Sequence, residues 1–365
     1  MTGYERVRVA LGGRPPDRVP VGEFALPPTV ATGLLGRGAD RVPGGGLALW
    51  QLVEEAVRLL GLDAVGVIAG EGGPAGEGFA GEGGLAGRAL WGDEGRPGGG
   101  LAGAVWLGEL GYWAGRDLFV WVVVDGPWQG LARAAGWAQA MTLVSGRYAA
   151  ERWQHLHAGD LEEPEVAEVE GPLLIQLDRS LAQVARALEA GADGVVLGED
   201  VAYAGGLFLA PSVIEERLWP LWREVVRYCA GARTARGDRP LVCFHSDGKI
   251  EGLLPLIRDA GFDAVHSLEP EAGMDAARLV GRYRGQLGLW GGLSVDLLVR
   301  GTPDEIAAEA ERLARAGIPG GLMLGTCSGV VPEGVPITNL LAAYRATAVA
   351  GGEVRSPPEE DRPPS

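Results

Sequence analysis

A (β/α)8 barrel is the fold this sequence predicts, on three observations. Apolar stretches that read as strands alternate with stretches of helical periodicity along the chain, and about eight strands can be counted. A small corner recurs: Gly61-Leu-Asp-Ala-Val65, Gly191-Ala-Asp-Gly-Val195 and Gly261-Phe-Asp-Ala-Val265 each close a helix and open a strand. Repeated corners of this kind imply repeated right-handed βα units. The alternative, a doubly wound open sheet, lacks a convincing dinucleotide fingerprint. Gly76-Glu-Gly-Phe-Ala-Gly81 matches G-x-G-x-x-G in form, but no clear strand and helix flank it, and chance matches are expected in so Gly-rich a stretch.

Taken in order, Tyr4–Leu11 is a short amphipathic helix, Gly12–Asp17 a turn and Arg18–Leu26 a first strand. Leu47–Leu60 is helical, stopped by Gly61, and Asp63–Ala69 is a strand. The Gly-rich stretch 70–103 reads as an insertion loop over one end of the fold. Leu118–Val124 is an apolar strand, which Asp125-Gly-Pro127 turns into a helix over Trp128–Leu143. Tyr148–His157 is a further helical piece whose His155 and His157 point to different faces and read as surface residues. Helix Ser180–Ala190, strand Gly194–Leu197 and a long helix Ser212–Tyr228 follow. Then come strand Leu241–Phe244, helix Ile250–Ala260, strand Asp263–Leu268, helix Ala276–Tyr283 and strand Leu287–Gly291. Helix Pro303–Ala316, strand Gly320–Leu324 and helix Ile337–Ala348 complete a barrel spanning 1–350, and the Pro- and Glu-rich 351–365 reads as a disordered tail.

Composition excludes several function classes. At 365 residues and 47% hydrophobic, the chain can bury a sizeable core. A net charge of −16 argues against nucleic acid, whose backbone needs clustered cations. No apolar run is long enough to cross a membrane and no signal core opens the chain, so a cytoplasmic location is expected. Three widely spaced cysteines, Cys229, Cys243 and Cys327, do not make a disulfide framework. Lys249 is the sole lysine, which leaves Schiff-base chemistry one candidate; a surface lysine in a first helical turn is the simpler reading.

The chemistry-bearing residues cluster at strand ends, where parallel α/β folds hold their ligands. The strand Leu241–Phe244 breaks into His245-Ser-Asp-Gly248. His245 and Asp247, two apart, can face inward together. Glu199 and Asp200 follow the fourth strand; being adjacent, at most one points inward, and Glu199 is the expected catalytic partner of His245 and Asp247. Asp125, Tyr203, His266 and Trp290 are expected to line a small-molecule substrate. Several also have a structural reading: Asp125 as a turn former, Trp290 as core, and His245 with Asp247 as a hydrogen-bonded pair that holds a loop.

Several motifs stand together in one order: Arg8-Val-Ala-Leu-Gly-Gly-Arg-Pro-Pro-Asp-Arg-Val-Pro-Val21, Gly191–Asp200, His245-Ser-Asp-Gly248, Leu268-Glu-Pro-Glu-Ala-Gly273, Leu289-Trp-Gly-Gly292 and Gly325–Asn339. In these the chain resembles the uroporphyrinogen decarboxylase superfamily. The resemblance implies the barrel, with its site in the C-terminal mouth, and two chemistries. For the decarboxylases, this sequence departs from the pattern: Gly22–Thr32 has no Arg, and the catalytic Asp, Tyr and His of that branch fall near Gly70, Arg133 and Thr326. For the zinc methyltransferases that work with corrinoid proteins, His245 matches the ligand His and Asp247 stands where a Cys would. Glu269 and Cys327 follow later strands. The resemblance thus implies zinc on His245, Asp247, Glu269 and Cys327, a corrinoid on a partner protein, and a thiol or folate acceptor. A porphyrinogen or other decarboxylase and a non-catalytic ligand-binding barrel remain the alternatives, and the oligomeric state is open.

Overall fold

A computed structural model describes residues 1–38, 41–69, 102–145 and 163–352. The Gly-rich stretch up to residue 101, the helical piece Tyr148–His157 and positions 353–365 of the expected tail lie outside the described residues. Eight parallel strands form the barrel in sequential order: β1 Gly22–Glu23, β2 Ala64–Ile68, β3 Phe119–Asp125, β4 Gly194–Gly198, β5 Leu241–His245, β6 Ala264–His266, β7 Gly288–Leu293 and β8 Leu322–Thr326. A parallel bridge between Val21 and Leu324 joins the last strand to the first, and the Leu324 N–H donates to Pro20 O at 2.9 Å. The expected (β/α)8 fold is therefore the observed one. An antiparallel hairpin, Ala202–Tyr203 with Gly206–Leu207, rises from the chain after β4.

Two cores divide the side chains. Alternate residues of every strand face either inward or toward the helices. The inner core holds Phe24, Phe119, Trp121, Val196, Cys243, Trp290 and Met323, among others. Trp121 and Trp290 stack at 5.3 Å, and Phe24 meets Trp290 edge-on at 4.8 Å. Glycines make room for these rings: a Cβ on Gly194 would lie 2.6 Å from the Trp121 ring, and one on Gly325 would lie 2.9 Å from Trp290 Nε1. The Trp290 indole N–H donates to Gly22 O at 3.0 Å, so the ring is satisfied as well as packed. Aromatic packing fills the lower barrel and confines chemistry to the mouth above it.

Some element boundaries differ from expectation for identifiable reasons. The helix expected over Trp128–Leu143 is two helices, Pro127–Ala135 and Trp137–Ser145, parted at Gly136 with φ 84°. The helix expected from Ser180 begins at Glu163 and carries Pro172 inside it. The stretch Pro211–Gly231 includes a π-turn at Ile214–Leu218 just before Pro220. Pro has no N–H to give and crowds the carbonyl four residues back, so the turn widens there. Its N-cap is Ala210, so the helix opens at Pro211, one residue before the expected Ser212. The first strand is shorter than Arg18–Leu26, and the helix ending at Gly352 runs into the expected tail.

Candidate metal centre

The register of the sheet determines which side chains share the mouth. Gly198 is paired with His245, and His245 with His266. Neighbouring paired residues of a parallel sheet face the same side, so two residues beyond this row Asp200 stands beside Asp247. The Asp247 N–H donates to Asp200 Oδ1 at 3.1 Å. His245 Nε2 lies 3.7 Å from Asp200 Oδ1 and 4.0 Å from Asp247 Oδ1. One ligand atom from each of Asp200, His245 and Asp247 falls within 4.8 Å of the other two.

These separations are too long for hydrogen bonds. They are close to what an ion shared at about 2.0–2.2 Å from each ligand atom would require. Asp247 Oδ1 is itself cut off from water and has no hydrogen-bond donor, although the side chain as a whole is 42% exposed. Burial, then the charges of Asp200 and Glu269, push the Asp247 carboxyl well above the usual carboxylate range; the Ser267 hydroxyl opposes them. Burial lowers the His245 pKa, against the pull of Asp200. A neutral imidazole between two crowded carboxylates fits a divalent cation, which would offset their mutual repulsion.

The other expected residues are placed as follows. Glu269 and Cys327 fall outside this three-residue cluster. Glu269 Oε2 instead accepts the Gly248 N–H at 2.9 Å, and its carboxyl is raised by burial and by Glu271 and Asp200. It is brought there after Leu268, whose φ of 64° is unique among non-glycine residues of the described structure and turns the chain off β6. Cys327 is buried, its thiol raised above its ordinary value by burial, with the Val295 N–H on the sulfur. Glu199 faces away from the mouth, one position out of phase with Asp200. Its carboxylate accepts N–H bonds from Trp128 and Gln129 at the start of helix Pro127–Ala135 and from the Trp222 indole, at 2.9–3.2 Å. Full burial pushes it up to about 8 despite these donors.

His266 is fully buried, with Nδ1 2.9 Å from His245 Nδ1 and Nε2 3.1 Å from Thr326 O. Trp290 belongs to the inner core and presents no face to a substrate. Tyr203, 53% exposed on the hairpin, stacks on Phe208 at 5.5 Å. Asp125 ends β3 and pairs with Arg133 at 2.9 Å; burial raises its carboxyl to about 6. Lys249 is exposed. Asp200, not the expected Glu199, is the carboxylate after β4 that turns to His245. Parity agrees with this once the ring contacts are known: Gly194, which yields to the Trp121 ring, shares the face of Asp200.

A family model described as uroporphyrinogen decarboxylase matches residues 161–348. Among solved structures, a methyltransferase from Methanosarcina mazei superimposes with a TM-score of 0.62 at 19% identity, covering 96% of this chain and 99% of that one. A 7,8-dihydropteroate synthase from Vibrio fischeri reaches a TM-score of 0.41 at 11% identity, covering 94% and 95%. No curated protein matches the chain. The family model spans more than half of the sequence, including the strand that ends in His245 and the mouth residues after it, and the chain belongs to the uroporphyrinogen decarboxylase family.

Proposed function

We propose that this chain is a divalent-metal-dependent methyltransferase that holds zinc on Asp200, His245 and Asp247 and works on a small thiol or folate acceptor, with a corrinoid on a partner protein as donor. The observation that carries the reading is Asp247 Oδ1, buried without a donor and facing His245 Nε2 and Asp200 Oδ1 across a gap suited to an ion. The shared fold with a methyltransferase supports the reaction class. Zinc bound there would supply Lewis acidity, lowering the pKa of an acceptor thiol toward neutrality. The chain's own residues orient the acceptor over the mouth. Glu269, outside the cluster and with proton affinity raised by burial, accepts the thiol proton. A methyl group passed to that thiolate would form the S–C bond and leave the electron pair of the broken bond on the donor.

The ligand set is harder than a thiolate-rich one, since two of its three donors are carboxylates. A second reading follows from the same pair. Without a cation, the repulsion between Asp200 and Asp247 keeps a proton on the pair, and Asp247 becomes an acid suited to protonating the carbanion left by loss of CO2 from a small carboxylate.

Elemental analysis of the full chain separates the two. We expect zinc near one equivalent, or its uptake on dialysis, and methyl transfer from methylcobalamin to a small thiol. His245→Ala should abolish both, since it removes the sole nitrogen donor. A metal-free protein that takes up no zinc would overturn the proposal.

A further inference from the structure

We infer that His266 is a positioning residue: it holds the His245 ring in the tautomer whose bare Nε2 is turned toward Asp200 and Asp247. The inference rests on the metal reading only for what that nitrogen would bind.

Thr326 O is a backbone carbonyl and can only accept, so His266 Nε2, 3.1 Å away, carries a hydrogen. Among the described residues His266 forms no ion pair, and its ring lies against Phe24 at 4.4 Å and Trp290 at 5.1 Å. A fully buried imidazole in such surroundings is neutral, so its Nδ1 is bare. The 2.9 Å contact between the two Nδ1 atoms then needs its hydrogen from His245. A neutral His245 that carries hydrogen on Nδ1 has a lone pair on Nε2, the atom that faces the two carboxylates.

The far end of this chain of bonds is anchored. Thr326 gives its N–H to Glu23 Oε1 at 2.8 Å and its hydroxyl hydrogen to Glu23 Oε2 at 2.7 Å, and the Tyr344 hydroxyl also donates to Oε1. Phe24 meets the His245 ring edge-on at 5.3 Å and limits its rotation. Tyr344, Glu23, Thr326, His266 and His245 thus form one connected path from the last helix to the mouth. Outer partners of this sort raise ligand basicity and restrict ring orientation.

The test uses two variants of the full chain. His266→Leu removes both the acceptor for His245 and the donor to Thr326. His266→Gln keeps an amide oxygen for the first and an amide N–H for the second. With four histidines in the sequence, the imidazole nitrogens of the metal-free protein can be assigned by 15N NMR. We expect wild-type His245 to carry its hydrogen on Nδ1, and His266→Leu to lose that preference. Zinc affinity, measured by chelator competition, should weaken about 10- to 100-fold in His266→Leu and recover largely in His266→Gln. A wild-type His245 with hydrogen on Nε2 would overturn the inference, as would a folded His266→Leu with unchanged tautomer and zinc affinity. Should the Leu variant fail to fold, the wild-type spectrum and the Gln variant decide. If the wild type takes up no zinc, the metal reading falls, and the nitrogen spectra alone judge His266.

Discussion

Glu199 and Asp200 are adjacent carboxylates with opposite fates. Glu199 is turned outward to three N–H donors, while Asp200 is turned inward to the imidazole of His245. Removing Glu199 would strand all three donors in a dry interior, at about 1–3 kcal/mol for each one left unsatisfied. Glu199→Ala should therefore lower stability by about 3 kcal/mol or more in urea unfolding. Asp200→Asn keeps the shape and an oxygen for the Asp247 N–H, so its stability should stay within about 1 kcal/mol of wild type. Its zinc affinity should fall at least tenfold, because a charged ligand becomes neutral. If Asp200→Asn binds zinc as tightly as wild type, Asp200 is not a ligand.

The recurring corner shows what a repeated sequence does as an element. In each copy the glycine has positive φ: Gly61 at 68°, Gly191 at 109° and Gly261 at 98°. Each aspartate then reaches to an adjoining strand: Asp63 accepts the Val21 N–H, Asp193 that of Val120 and Asp263 that of Val242, at 2.8–3.0 Å. Each also binds arginine: Asp63 holds Arg6 and Arg18, Asp193 holds Arg236 and Asp263 holds Arg239. These staples lie at the N-terminal ends of the strands, opposite the mouth, where a barrel invests in stability. Asp63, whose side chain is 3% exposed, faces two guanidinium groups where Asp193 and Asp263 each pair with one. Asp63→Ala leaves Arg6 to Asp17 alone and strips the Val21 N–H of its acceptor, and should cost about 1–3 kcal/mol, with zinc stoichiometry unchanged. A thermal midpoint equal to that of wild type would show the network to be dispensable.

For the molecule as a whole, charge at the mouth limits what it can accept. Asp125, Asp200, Asp247 and Glu269 gather there, with Arg133 already paired to Asp125. Glu23 and Glu199 point outward and are hydrogen-bonded within the wall, so they do not add to this field. Thr326, near which the resemblance puts the decarboxylases' histidine, anchors His266. Among the described residues, a substrate bearing many carboxylates would meet mainly like charge at this mouth. We expect no conversion of uroporphyrinogen to coproporphyrinogen in an anaerobic assay. Product above a heat-inactivated control would restore the decarboxylase reading. Among the described residues no helix is long and apolar enough to cross a membrane.

The barrel was legible in the sequence because it depends on local signals. Apolar runs, helical periodicity and the Gly-x-Asp corners repeat along the chain and need no distant partner to be read. His245 and Asp247 were legible for the same reason, as a polar break at the end of one apolar strand. Their third companion was not, because β4 is apolar on both faces and hides which of Glu199 and Asp200 turns inward; only the pairing of Gly198 with His245 decides it. The same holds for His266, whose contacts with His245 and Thr326 join three strands across the barrel. Glu269 and Cys327 were grouped with the site because residues after parallel strands emerge at one end, yet a ligand must arrive within a few ångströms, and backbone turns such as the one at Leu268 determine that. Local pattern is enough to specify the elements, whereas the chemistry depends on distances between strands, which exist only once the sheet has closed.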